Sequence, residues 1–371
     1  MNSIHRMTVL LGAALMSAGT VPAFAQGAQF QSPREIAAYL SERLPPFLKD
    51  DATRKRMVGD MLKVQLAPPL RSTFDPAKAI KLLLGDGSVL LSTDCRRTGT
   101  PVGERDAGDC TASIGDEAGA GAFSRLSYSK NLGFGNIKLI RRPAVPTQLP
   151  DPEKLPSPRI SDATAYEEAR KLLEELGLPQ SELPDVPAGA KGGLPVRNLN
   201  VQGGGQQAYA PITLQKVVFL QRGFPLQTPI PAGPPGTLTH VPGPGRAVVM
   251  FGAEGLAGLA VHEWHELRLD PTITEGDTKT SQALVDEIAE DLFNEGVRSA
   301  VDVKFRPLIA SEQRNQIGLL LPAVEVVVVP VPRDLDERSQ NALAQRTTGG
   351  LIREYSLVER KEVTSTGRPG G

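Results

Sequence analysis

Prolines and glycines break this chain into short periodic segments, and no other feature limits its folding choices as strongly. The 32 prolines and 37 glycines collect between apolar-patterned runs. There proline removes a backbone donor and glycine supplies turn conformations. A chain punctuated in this way folds as units of short helices and strands joined by loose connectors. Its 371 residues correspond to two or three domains at roughly 100–200 residues each. A hydrophobic content of 40% suffices for packed cores.

The periodic segments read as helices followed by strands. "SPREIAAYLSERLPPFL" (32–48) opens with a cap-like Ser32 and Pro33 and repeats apolar residues at helical spacing; a second helix is expected from Asp51 to about Leu66. "AIKLLLGDGSVLLST" (79–93) places Gly85-Asp86-Gly87 between two apolar runs, a hairpin pattern. "FSRLSYS" and "GNIKLIRR" then read as strands. Residues 143–160 are proline-rich and aperiodic, the best candidate for a domain boundary. Beyond them, "SDATAYEEARKLLEELGLP" (161–179) carries an apolar stripe of Ala165, Ala169, Leu172, Leu173 and Leu176, with Ser161 or Asp162 as cap. Strands are expected at 212–224, 246–251 and 256–269, the last two joined by the "GAEG" turn, with a proline-glycine excursion between the first two. A further helix covers about Thr280 to Glu295, and "AVDVKFRPLI", "IGLLLPAVEVVVVPVP" and "LIREYSLVER" complete the strands. The fold class is α+β: helices packed on curved antiparallel sheets, in two modules joined by a Pro-rich linker. The modules are expected at 30–142 and 161–335, followed by a partly disordered tail, 336–371.

The first 26 residues set the compartment. Arg6, the uncharged apolar run from Met7 to Val21 and the small residues of Ala23-Phe24-Ala25 form a secretory signal peptide, with cleavage expected after Ala25. The protein is therefore expected to be periplasmic or secreted, with no stable membrane span after cleavage. In an oxidising compartment Cys95 and Cys110 are expected to form a disulfide across a polar loop. With 41 basic and 42 acidic residues, there is no cationic excess to drive nucleic-acid binding. No Gly-rich loop opens a helix, so no phosphate-bearing cofactor is implied, and no G-x-S-x-G nucleophile elbow is present.

The succession "AYEEARKLLEELGLP", "KVVFLQRGFPLQTPI", "PGPGRAVVMFGAEGLAGLAVHEWHEL", a further helix and "LLLPAVEVVVV" resembles the layout of secreted PepSY-like and YycI-like modules over about residues 160–332. That resemblance implies a cystatin-like shape, a helix cradled by a curved antiparallel sheet, with a small-residue turn at Gly252-Ala253-Glu254-Gly255 and Trp264 near the end of the following strand. It implies a non-catalytic role as an inhibitory segment, a regulator of envelope signalling or an accessory binding module. It supplies no catalytic residues.

"GLAVHEWHEL" (258–267) is the one stretch that suggests metal chemistry. A zincin helix needs histidines four apart, whereas His262 and His265 are three apart. As a strand, the run puts His262, Trp264 and Glu266 on one face and His265 on the other; His262 and Glu266 would stand about 13 Å apart. Trp264 is then expected to be a core anchor. The expected function is a non-catalytic binding, regulatory or inhibitory module acting on an envelope or extracellular protein. The alternative is a metal-dependent hydrolase using His240, His262, His265 and Glu266.

Overall fold

The computed structural model describes residues 28–87, 89–91, 109–129, 132, 135–144, 155–184, 194–201, 212–233, 236–314, 317–330 and 351–359. The expected signal peptide, Cys95 and the expected tail apart from residues 351–359 lie outside them. In chain order the elements are β1 (Ala28–Gln29), α1 (Pro33–Arg43), α2 (Pro46–Lys49), α3 (Asp51–Met61), α4 (Leu70–Thr73), α5 (Pro76–Leu84), β2 (Leu90–Leu91), β3 (Asp109–Ile114), β4 (Phe123–Ser129), β5 (Ile137–Arg142), α6 (Asp162–Glu175), β6 (Val196–Val201), β7 (Ile212–Gly233), β8 (Gly236–Gly252), β9 (Gly255–His262), β10 (Glu266–Leu269), α7 (Ser281–Asn294), β11 (Ser299–Arg314), β12 (Ile317–Pro330) and β13 (Leu351–Ser356). The class is α+β.

The helices start where local chemistry satisfies their first backbone donors. Asp50 accepts from Thr53 N at the head of α3, and Asp75 from Ala77 N and Lys78 N at α5. Ser161 accepts from Thr164 N at α6, and Thr280 from Ala283 N at α7. Ser32 makes no such bond, and α1 begins on Pro33 instead. The Gly85-Asp86-Gly87 segment is a correction to the sequence reading. Residues 76–84 are helical, and Gly85, at φ 84°, ends α5. A positive-φ glycine serves a helix C-terminus as readily as a hairpin.

Two sheets organise the chain. One runs β2-β3-β4-β5-β9-β8-β7-β6, with every pairing antiparallel. The other runs β1-β11-β12-β10, with β13 also on β12. In this second sheet β10 and β12 are parallel, and the remaining pairs are antiparallel. Helices α5 and α6 bury Leu83, Ala165, Ala169 and Leu173 against one face of the first sheet. Helices α1, α3 and α7 pack Ile36, Met57, Leu284 and Ile288 into a separate core with β11 and β12.

The units interleave along the chain. β5, which precedes the proline-rich stretch, pairs with β9, which follows it. Residues 143–160 thus connect two parts of one sheet rather than two modules. An unpaired strand edge takes whichever complementary edge is close in space, and proline content carries no information about that choice. The core of the five-stranded sheet draws on residues 30–64 and 267–358 and on Phe224, Leu226, Ile230 and Val241 of the β7–β8 hairpin, with most of the eight-stranded unit lying between the first two in sequence.

The proline-glycine excursion is also paired. β7 and β8 form one long hairpin to Gly233 and Gly236, including Phe224 opposite Val241. Its prolines lie within or beside register shifts, Pro229 and Pro244 inside them and Pro225, Pro231 and Pro242 at their borders, where a missing ladder donor is tolerated. Along this hairpin Val218 and Leu220 belong to the first core, and Phe224, Leu226 and Ile230 to the second. The arm therefore ties the two cores together.

One glycine is required where the chain passes between the sheets. A Cβ at Gly135, φ 60°, would lie 2.1 Å from the carbonyl carbon of Trp264. Gly135→Ala is expected to cost about 3 kcal/mol, through overpacking and strain together. Gly85→Ala, also at positive φ but with nothing within 4 Å, is expected to cost only about 1 kcal/mol. Urea unfolding of both variants measures the difference; equal losses would show that the close approach is not the constraint.

Candidate functional site

The run from Gly258 to Leu267 is not one strand. β9 ends at His262, Glu263 takes a left-handed φ of 56°, and β10 begins at Glu266 in the other sheet. The alternation of faces expected across 256–269 therefore stops at Glu263, because a positive φ in a non-glycine residue redirects the chain. Trp264 is buried in the first core and Leu267 in the second.

A buried network holds this crossing. Arg222 Nε donates to Glu182 Oε2 at 2.8 Å and a terminal nitrogen donates to Oε1 at 3.1 Å, with both side chains at most 5% exposed. The other guanidinium nitrogen donates to the His265 carbonyl at 2.8 Å. Trp264 Nε1 donates to Glu182 Oε2 at 3.2 Å. His265 Nε2 and Ser311 Oγ share a hydrogen bond of 2.7 Å, reaching from the crossing to β11. His265 Nδ1 is buried without a hydrogen-bond partner. Burial holds the imidazole below its ordinary pKa, and the Arg222 charge acts in the same direction against Glu263.

The expected metal ligands do not converge. His240 sits on β8 opposite Pro225 and contacts Thr239 Oγ1 through Nδ1 at 3.1 Å. His262 ends β9 opposite Arg246. His265 spends Nε2 on Ser311, and Glu266 is engaged by Arg71 at 2.5 Å and Arg268 at 2.9 Å. Among the described residues no three His, Cys, Asp or Glu side chains lie where they could share an ion. Cys110 is buried in β3; the disulfide expected for it involves Cys95, outside the described residues.

Two surfaces flank the crossing. A cleft of about 500 Å³ is lined by Gln221, Arg246, Glu263, His265, Arg306 and Ser311, with Glu325 and Glu354 on its far wall. Burial and the neighbouring Glu325 and Glu263 push the Glu354 carboxyl above its usual range. The second surface is the face of the eight-stranded sheet away from α5 and α6. Strand alternation places Ile140, Val217, Phe219, Val248, Met250 and Ala260 there. Phe219 is 43% exposed, and the other five are partly exposed. Arg197 lies over the Phe219 ring, 5.4 Å from its centre.

Sequence reading missed Glu182, Arg222 and Ser311. Arg222 had a signal, since it is a cation closing the apolar run "VVFLQRGF". The apolar runs "VVFL" and "AVVM" likewise lack the alternation of a strand with one wet face. Glu182 and Ser311 have no local signature.

No protein-family profile matches the chain, and no curated protein matches it in sequence. Among solved structures, the Bacillus megaterium YpeB C-terminal domain aligns with 68% of this chain and 85% of that one, at 11% identity and a TM-score of 0.25. Similarity of that size assigns neither a fold family nor a function. Among the described residues no helix is long and apolar enough to cross a membrane.

Removing one member of a buried ion pair strands the other charge. Glu182→Gln is expected to lower stability by about 3 kcal/mol and to alter the emission of Trp264, the single tryptophan. Glu182→Gln combined with Arg222→Met should recover part of the loss in urea titrations; unchanged midpoints would refute the role of the pair. The His265 shift has its own pH signature. A histidine pKa depressed by folding adds stability above the unfolded value near 6.5 that is lost as pH falls through and below it. Unfolding midpoints between pH 8 and pH 5, roughly the range in which histidine titrates, should fall more steeply for the native chain than for His265→Gln.

Proposed function

We propose that this chain is a non-catalytic binding module whose partner is a protein, working outside the cytoplasm in the envelope or beyond it. The observation that carries this reading is the one-sided cover of the eight-stranded sheet. Its inner face is closed by α5 and α6, while among the described residues its outer face keeps a partly exposed apolar centre around Phe219. A contiguous exposed apolar patch on a rigid sheet is a docking feature, because leaving it in water forgoes roughly 25 cal/mol for each Å² that a partner would bury. The leader-like first 26 residues support the compartment. A regulatory or inhibitory role is the form such a module takes when docking alone changes the partner's activity.

Site-specific photo-crosslinking tests the reading. A crosslinking residue at position 219 of the full-length chain, in cells, should give a discrete protein adduct. One at position 81, on the helical side of the sheet, should not. Equal adducts at both positions, or none at 219, would end the proposal.

A further inference from the structure

Strands β5 to β9 are five adjacent strands of the eight-stranded sheet, in the order β5-β9-β8-β7-β6. They contain seven basic residues and no acidic one. In a chain of net charge −1 this is a strong local segregation.

Three of the seven, Arg141, Lys216 and Arg222, point into the molecule and are satisfied there. Lys216 pairs with Asp162 of α6, and Arg222 with Glu182 just beyond it. Arg141 donates to the carbonyls of Leu83, at the end of α5, and Leu256. The inner counter-charges are thus carried by the layer that covers the sheet. The other four, Lys138, Arg142, Arg197 and Arg246, are on the outer face by strand alternation, around the apolar centre. Arg142 is held by carbonyls of residues 116, 117 and 119. Lys138, Arg197 and Arg246 have no ion-pair partner among the described residues.

We infer that the outer face docks an extended protein segment in which acidic residues flank apolar ones, supplying on this side the carboxylates that α6 and its following turn supply on the other. This rests on the docking-face reading and adds the partner's chemistry to it. An extended segment fits because the sheet ends at β6, which is paired with β7 on one side only among the described strands. Its free backbone edge lies beside Arg197 and Phe219. The cleft sets the register. Glu263, Glu325 and Glu354 line it against Arg246 and Arg306, and three carboxylates against two cations steer the segment's own carboxylates toward Lys138 and Arg197.

The test uses the full chain and a synthetic strand-forming peptide alternating glutamate with valine and phenylalanine. A matched peptide carries lysine in place of each glutamate. The glutamate peptide should shift the methyl resonances of Val217, Val248, Met250 and Ala260 saturably, and added salt should weaken it. Lys138→Gln with Arg197→Gln should weaken it about fivefold, as two exposed ion pairs would. The lysine peptide should not bind. If both peptides bind alike, or neither binds while the crosslink at position 219 persists, the acidic chemistry is wrong and the docking face stands. If neither binds and no crosslink forms, the docking face itself fails. Binding to phosphatidylglycerol vesicles that the double variant abolishes, with no peptide response, would overturn the inference in favour of an anionic membrane surface.

Discussion

The Glu182–Arg222 ion pair is the interaction on which the two-sheet arrangement depends. Placing two opposite charges out of water is costly, and their attraction offsets the cost only when the remaining donors and acceptors are also satisfied. Here they are engaged from several sides, by Trp264 Nε1 and the backbone N–H of Ala67 on the carboxylate and by the His265 carbonyl on the guanidinium. Each partner comes from a different part of the chain. The network therefore forms only when α6, β7 and the crossing at Glu263–His265 are all in place. Buried ion pairs contribute less to net stability than well-packed apolar residues would. What this one contributes is a junction, because Arg222 joins Glu182 to the His265 carbonyl at the crossing between the sheets.

At that junction one polypeptide passes between two cores without dividing into two consecutive modules. The chain begins in the five-stranded unit, leaves it for the eight-stranded unit, and returns at the crossing. The β7–β8 arm spans both cores in the meantime. Because the helices of the inserted unit all lie on one side, its sheet keeps a second face whose apolar centre no described helix covers and where Lys138, Arg197 and Arg246 have no ion-pair partner among the described residues. The choice of the face that α5 and α6 cover thus also decides which face of the sheet no described helix covers.

Local sequence signals placed α1, α3, α6 and α7 but not α4 or α5. α6 and α7 fall where the apolar stripes and capping residues place them, because those signals act within a few residues. The failures share a different origin. Gly85 permits the same positive φ in a helix terminus as in a hairpin, so the Gly-Asp-Gly segment was ambiguous without knowing that residues 76–84 pack against the sheet. The stretch around Trp264 reads as one strand because nothing nearby announces that Glu263 will turn left-handed. The backbone there is shaped by the burial of Trp264 and by Gly135 pressed against its carbonyl, both contacts with distant residues.

By itself, the sequence determined the class of elements and their approximate order, and it carries a leader-like pattern in its first 26 residues. These depend on composition and on periodicities of two and 3.6 residues, which are local properties of a chain. Only the tertiary structure decided that β5 joins β9 across the proline-rich stretch, that His240, His262 and His265 stand apart, and which of the seven basic residues find carboxylates inside. Those outcomes rest on pairings between segments far apart in sequence, where the energy of an edge or a charge is set by what folds against it.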